Sequence, residues 1–536
     1  MSTFSMPAKY KFAALLAIVL LGFVLRLRGL DSVGFNEDEI NKVEAARGYL
    51  HGDFSLNLEH PMFMKSLVAV SMAVSDAWNR HFMLSHQISE EVAVRLPNVL
   101  VGSLTAVILF FVAEEFFGVE VALFTALLWS VSTIAIAVNR IAKEDTLLVF
   151  FTWLAYYFYL RAKALGPVAT GQRSRFYTAS GASFGLMLAS KYFPHYLGLN
   201  ALYYQLSGAD KNNRLPRRDL VLCLGACTMV FLIANPVVLL PSTLRYMVHY
   251  AREGTVTHHG YLMMGQLLYN DPAHLRGGMP IFFYPLFLLV KTPLPVLAAF
   301  IVGLVDVIRR RREPGPHFVL LMFMLWIIPF SLLSAKWLRW MLAWMPTVTI
   351  ISAIGIARIL SWCSKLVRQH VSLRFVPAVV TAIVAIFLVE PAWVAAKSGP
   401  VYSLYLNPVG MGRTGYYFPH DEVNDAGLRE AIQEVCEEAP LGASVGGEGG
   451  AVFAYYFHKL GRDDLHYFDL SDQVRRMEAS PSRYLVIQDA RKYFDNAAFI
   501  QGVESFQTPI RSITIGGTVV ARIYRDEGFA RPGELQ

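Results

Sequence analysis

The chain has 536 residues, of which 54% are hydrophobic and 17% charged, against about 25% charged in an average soluble domain. That balance excludes a disordered, collagen-like or ordinary soluble protein. The formal charge is +7, but the bases punctuate apolar runs and do not gather in one polar region, so a membrane fits and a nucleic acid does not.

A helix crossing the hydrocarbon core needs about 20 mostly apolar residues. In chain order, spans are predicted at 12–28, 94–117, 119–138, 146–162, 176–190, 193–207, 219–240, 280–307, 318–333, 340–360 and 375–396. The first is expected to be an anchor and not a signal peptide, because Arg26, Leu27, Arg28 and Gly29 follow it in place of a small-residue cleavage site. Segment 61–75 is apolar but short and carries Lys65, so it is expected to lie along the interface. Cytoplasmic loops are enriched in Lys and Arg. Five basic clusters mark them here: Lys9 and Lys11; Arg161 to Arg175; Lys211 to Arg218; Arg309 to Arg312; and Lys365 to Arg374. All five fall on one face if the N-terminus is inside. Loop 29–93, the turns near 139–145 and 334–339, loop 241–279 and everything after about 397 then lie outside. Arg26 and Arg28 break the rule locally.

The expected fold is mainly α: a polytopic membrane helix bundle of about eleven spans over 1–397, including outer loop 29–93 with interfacial helices. A small extracytoplasmic α/β domain is expected over 398–536. There an amphipathic helix is predicted through Val423, Leu428, Ile432 and Val435, with Asp421 near its start. Short strands are predicted at Ala451 to Phe457, at Tyr484 to Ile487, and at Ile513 and Val519 to Ile523 around the Gly516-Gly517 turn. The four cysteines suggest neither a disulfide framework nor a zinc ribbon.

Several polar residues stand where a bilayer makes them costly. The first outer loop opens Gly34-Phe35-Asn36-Glu37-Asp38-Glu39. Asn36 and Glu39 have the spacing of a capping box, and the adjacent carboxylates Asp38 and Glu39 can supply a general base. Pro61 suits a helix start, from which Lys65 projects near the surface, and Arg95 precedes Pro97. The second outer turn, Asn139 to Asp145, offers Glu144 and Asp145. Lys336 and Arg339 lie outside, where positive charge is disfavoured, and a bound phosphate accounts for them. Lys291 falls within a predicted span beside Pro293, which makes it a functional candidate by default. Lys191 sits between two spans. His258 and His259 are adjacent and lack the spaced partners of a metal motif.

The ordered set of Asp38-Glu39, a helix ending in Gly, His60-Pro61-x-x-x-Lys65 and Arg95-Leu96-Pro97 resembles the GT-C class of membrane glycosyltransferases. Within it, the set looks closest to the protein O-mannosyltransferase and lipid A aminoarabinose transferase superfamily. Asp145 after Arg140, Lys291-Thr292-Pro293 and Lys336-x-x-Arg339 are similar to further landmarks, so the resemblance covers roughly 10–360. Met62-Phe63-Met64 stands where the mannosyltransferases carry Pro-Leu-Gly, and the tail lacks trefoil-like repeats. The resemblance implies a GT-C fold and an inverting transfer of sugar from a polyprenyl-phosphate donor, at the outer face of a bacterial inner membrane. It implies Asp38 as base with Glu39 beside it, and Lys336 and Arg339 as a phosphate clamp aided by Arg95 or Lys65. Asp145, with Glu144, is expected to orient the acceptor or to hold a divalent Mg, Mn or Zn ion. His60, Lys191, His258, His259 and Lys291 are further candidate substrate contacts. The partners implied are the lipid-linked sugar donor, an acceptor glycan, lipid or protein, and the bilayer, with no nucleic acid. The N-terminus is expected in the cytoplasm and the C-terminal domain in the periplasm or outside the cell. Two rivals predict different behaviour: a transporter or flippase of lipid-linked sugars, against which no repeated halves are seen, and a scaffold for envelope assembly.

Overall fold

The computed structural model describes residues 7–82, 87–165, 169–192, 216–253, 258–272, 274, 276–370, 376–419, 423, 425–478 and 483–526, without the side chains of 250–259, 368, 370, 376 and 377. The chain is mainly helical. In order come α1 (Ala8–Leu27), α2 (Glu37–Leu50), α3 (Met62–His81), α4 (Glu90–Phe117), α5 (Val119–Val131), α6 (Thr133–Asn139), α7 (Asp145–Ala164) and α8 (Thr170–Ser190). The helices Arg217–Ala234, Phe283–Lys291, Leu294–Arg309, Pro314–Leu332, Met345–His370 and Val376–Ser398 follow. Five helices among the described residues are long and apolar enough to cross a membrane, or six if α5 and α6 form one bent span. The chain is a multi-pass membrane protein. The predicted span 193–207 lies outside the described residues. Those at 176–190 and 219–240 are built as helices that begin in polar or basic residues.

Two predicted spans are broken. The 119–138 span bends by 57° between α5 and α6, and Ser132 caps the second piece through Ala135. A break leaves backbone carbonyls without partners, which is costly where no water reaches them. Arg26, wholly buried, supplies the missing donors: its guanidinium reaches the carbonyls of Trp129 (3.3 Å), Ser130 (3.1 Å) and Gly22 (3.0 Å), and Asn139 Oδ1 (3.0 Å). This explains one base that broke the orientation rule. The 280–307 span stops at Lys291 and restarts at Leu294, because Pro293 has no N–H to continue the helix. Asn407 closes that gap, donating its side-chain amide to the carbonyls of Leu289 and Thr292 (2.7 Å each) and its backbone N–H to Val290 (2.9 Å). Lys291 therefore ends a half-helix, where its amine donates to the Ser403 carbonyl at 2.6 Å.

α3 runs further than the predicted interfacial segment and buries Met64, Lys65, Val68, Ala69 and Met72 on one face, with Val70 and Val74 exposed on the other. The basic helix ends gather: Lys11 of α1 pairs with Glu114 and Arg161 of α7 with Glu115, both at the end of α4 (2.9 and 2.8 Å).

The C-terminal sheet has strand order β4-β3-β5-β7-β6; its strands are β3 (Ser444–Gly447), β4 (His466–Asp469), β5 (Arg483–Ile487), β6 (Arg511–Ile515) and β7 (Thr518–Asp526). β3 is parallel to both β4 and β5, whereas β7 is antiparallel to β5 and β6. The predicted hairpin at Gly516-Gly517 and the strand at Tyr484 to Ile487 are present. The predicted strand from Ala451 to Phe457 is instead a helix, Gly450–Lys459, whose buried Val452, Phe453, Tyr456 and Phe457 recur at helical and not alternate spacing. The amphipathic helix begins at Leu428, after Val423, and Asp421 lies outside the described residues. A second hairpin, β1 (His258–Met263) with β2 (Gln266–Asn270), stands apart from this sheet.

Candidate active site

The start of α2 organises one end of the bundle. Asn36 and Glu39 form the predicted capping box. Glu39 is also buried and does more than cap: its carboxylate takes Arg95 Nε (2.8 Å), Arg95 Nη2 (2.6 Å) and the backbone N–H of Ala142 (2.9 Å). It thereby ties α2 to α4 and to the turn before α7. Arg95 spends its remaining donors on the carbonyls of Leu30 (2.8 Å), Val33 (2.7 Å) and Gly34 (2.7 Å). All five of its N–H groups are used inside the protein. Arg95 therefore has none left for a phosphate, and Glu39 has no open lone pair to act as a base.

Two other proposed clamp cations are also turned inward. Lys65 donates to the carbonyls of Asn57 (2.6 Å) and His60 (2.9 Å), stapling the loop before α3. Lys336 is wholly buried and donates to the carbonyls of Met279 (3.2 Å) and Leu333, just past the end of helix Pro314–Leu332. Orphan carbonyls at helix ends need donors, and in this chain lysine and arginine supply them.

Asp38 differs, because its carboxyl is about one-third exposed. It meets Lys143 Nζ at 2.7 Å and Arg339 Nη1 at 3.3 Å. Burial pushes the Asp38 carboxyl up, but Lys143, Arg339 and Lys42 outweigh it and hold the group well below the usual carboxylate range. Behind it lies a buried layer. Glu144 meets Lys42 (2.9 Å) and Lys143 (3.8 Å), and Asp145 meets Lys191 (2.7 Å). Burial pushes the His60 imidazole well below its ordinary value, so it is uncharged near neutral pH. Its 3.7 Å approach to Glu144 is not an ion pair.

A cavity of about 150 Å³ opens from Asp38. Its walls include Glu37, Trp337, Arg339, Tyr261 and, from the C-terminal region, Arg491 and Tyr493. Arg491 grips Asp425 through two nitrogens (2.8 and 3.2 Å) and reaches Glu37 at 2.9 Å. The cavity thus has one wall from the bundle and one from the tail. Glu144, Asp145, Lys191 and Lys291 do not line it. The backbone of His258 and His259 opens β1, and their side chains lie outside the described residues.

The expected metal does not fit this arrangement. Among the described residues no three His, Cys, Asp or Glu groups gather as ligands. Asp38, Glu144 and Asp145 each have an ammonium group within 3 Å, Lys143, Lys42 and Lys191 in turn, and a divalent ion at any of them meets that charge first, although both Glu144 oxygens and Asp145 Oδ2 are buried without a hydrogen-bond donor.

Sequence reasoning missed Lys42, Lys143, Asp425 and Arg491. A signal existed for Lys42, four residues after Asp38 and so on the same helical face. Lys143 sits beside the flagged acids. Arg491 has no local signal.

Residues 77–240 match the family described as dolichyl-phosphate-mannose-protein mannosyltransferase. No curated protein matches the chain. Among solved structures, ArnT from Cupriavidus metallidurans bound to undecaprenyl phosphate aligns with a TM-score of 0.53 at 15% identity, over 96% of this chain and 98% of that one. The archaeal oligosaccharyltransferase AglB from Archaeoglobus fulgidus, with an inhibitory peptide and a dolichol-phosphate, aligns at 0.50 and 12%, over 83% and 59%. An Archaeoglobus fulgidus oligosaccharyltransferase complex with Zn and sulfate aligns at 0.52 and 12%, over 89% and 68%. By family match over part of its length and by fold over nearly all of it, the chain resembles the GT-C membrane glycosyltransferases.

Proposed function

We propose that this chain is a glycosyltransferase that moves a sugar from a polyprenyl-phosphate donor to an acceptor hydroxyl, with inversion, at the outer face of a bacterial inner membrane. The bundle over 1–397 carries the chemistry, and 398–536 forms an outer domain. The observation that carries this reading is Asp38: an ionised, partly open carboxylate at the cavity, with Arg339 beside it. The solved ArnT and AglB complexes hold polyprenyl-type phosphates in the same fold.

The roles follow from charge. A phosphate is a good leaving group, so cations that hold the departing charge suffice. Arg339 takes that role. It stands 3.3 Å from Asp38, and a phosphate arriving nearby competes for its guanidinium. As Arg339 turns to the phosphate, Asp38 loses one of the charges that depress it and becomes a stronger base toward the acceptor hydroxyl. Donor binding thus arms the base. Lys143 stays with Asp38 and orients it. Lys42, Glu144, Lys191 and Asp145 support that layer from behind, and no step is assigned to a metal.

The test uses the full chain in liposomes with undecaprenyl-phosphate mannose and other undecaprenyl-phosphate sugars as donors, and with mannohexaose and a serine-rich peptide as acceptors. Release of undecaprenyl phosphate is expected from the native chain. Asp38→Asn should lower it by about a hundred- to ten-thousand-fold, with only a modest drop in unfolding temperature from the lost Lys143 and Arg339 pairs and a chain that remains folded at the assay temperature. Near-normal turnover in that variant removes Asp38 as base. Lipid-linked sugar crossing the bilayer without any transfer product sinks the reading in favour of transport.

A further inference from the structure

The cavity borders an aromatic surface that no step above uses. Tyr269, at the end of β2, stacks on His274 with ring centroids 4.0 Å apart and an interplanar angle of 6°. It also meets Phe494 at 4.4 Å and 31°. Tyr269 is 38% exposed and Phe494 40%, and Asp271 fixes the His274 ring at 2.6 Å. The neighbours of these two aromatics in the chain, Asn270 and Tyr493, line the cavity beside Asp38. The aromatic surface therefore borders the cavity at Asn270 and Tyr493.

The C-terminal sheet points the same way. β3 has β4 on one side and β5 on the other, both parallel to it. In open α/β sheets, ligands bind at such a switch point, beyond the carboxyl ends of the strands. Here the chain leaving β5 carries Arg491 and Tyr493 into the cavity wall. The chain leaving β3 passes Gly449, at a positive φ of 90°, where an added Cβ would stand 3.6 Å from Arg491 and 3.9 Å from Glu37.

We propose that this surface, from Tyr269 and Phe494 inward to Glu37 and Arg491, is a glycan-binding subsite that delivers the acceptor hydroxyl to Asp38. Tyr269 is held between His274 and Phe494, so the flat C–H face of a sugar ring packs on the exposed Phe494 ring that Tyr269 positions, and its hydroxyls suit planar carboxylate and guanidinium groups at the edges. Tyrosine offers both a ring and a polar tip at low entropic cost. The charges of the rim argue against a phosphorylated lipid acceptor: Glu37, Asp38 and Asp425 face Arg339 and Arg491, and both guanidinium groups are already in ion pairs. Arg491 stays locked between Glu37 and Asp425, and Arg339 is taken by the donor phosphate, so no rim guanidinium is left for a phosphorylated acceptor. That the bound glycan is an acceptor rests on the transfer reading above; that a glycan binds does not.

The test is saturation-transfer NMR on the full chain in detergent, with mannohexaose, maltohexaose and arabinohexaose as probes and a serine-rich peptide as comparison. At least one hexasaccharide is expected to bind. Tyr269→Ala and Phe494→Ala should each weaken it by about tenfold, while Tyr269→Trp, which keeps the ring, should retain it. The proposal is overturned if no hexasaccharide binds, if only the peptide binds, or if Tyr269→Ala binds as the native chain does. The measurement needs no donor. A chain that binds glycan but cleaves no donor loses the transfer reading alone, and one that cleaves donor but binds no glycan loses this subsite alone.

Discussion

Lys143 lies 2.7 Å from Asp38 and is among the charges that depress it. Replacing Lys143 by Met removes one such charge, so the Asp38 pKa must rise. The acid limb of the pH–rate profile should move to higher pH, and a limb that stays in place removes Lys143 from the site. The same sign governs stability. A carboxylate depressed in the folded state stabilises it above the unfolded value of about 3.9, and that contribution is lost as pH falls through the folded pKa. Arg95 gives a different result. Its charge is buried against Glu39, and removing one member of such a pair costs about 3–5 kcal/mol. Arg95→Ala should therefore unfold at a clearly lower temperature than native. A specific loss of donor affinity at native stability would restore it as a phosphate ligand. The sequence made the acids legible because they recur in loops at one face. It misled about the cations because an orphan carbonyl leaves no mark in a sequence. Lys65, Lys336 and Arg95 read as ligands for a phosphate when they are donors to the backbone.

Helix existence was legible from apolar runs, and helix breaks were not. Ser130, Ser132 and Thr133 mark the bend only weakly, since hydroxyl side chains also occur in continuous membrane helices, and the bend becomes visible through the arginine that serves it. Pro293 did carry a signal, but a proline inside a long apolar run also fits a kinked continuous span. Close packing is another matter. Gly181 and Gly185 of α8 have the small-xxx-small spacing that lets membrane helices approach. A Cβ on either would fall onto the backbone carbonyls of Cys223 and Cys227 in helix Arg217–Ala234. Gly181→Leu should cost at least about 1–3 kcal/mol and lower the unfolding temperature in detergent. Unchanged stability would show that this helix pair separates without penalty. The misread strand at Ala451 to Phe457 has a compositional cause: Val, Phe and Tyr are strand-favouring residues, and here tertiary contacts override them.

The orientation proposed for the whole chain assigns every exposed loop to a side. Leu441, 85% exposed beside the C-terminal sheet, belongs outside. A Leu441→Cys variant on a cysteine-free background should react with a membrane-impermeant maleimide added to intact cells. Labelling only after the membrane is opened would invert the orientation. The mainly helical fold and the small C-terminal sheet were legible because composition changes sharply near residue 398. The candidate site was legible only in part, since its walls come from residues 36–38, 141, 260–261, 337, 339, 425, 491 and 493. Local pattern carries no information about pairings at that range.

The ion pair of Arg491 with Glu37 spans 454 residues, and this has a consequence in time. At a synthesis rate of about 5–20 residues per second, Arg491 emerges roughly half a minute to a minute and a half after Glu37. Throughout that interval the bundle already inserted in the membrane has one wall of its cavity missing. Under the proposed function, catalytic competence is thus among the last properties the nascent chain acquires, and truncated or stalled products leave the cavity beside Asp38 without its Arg491 wall.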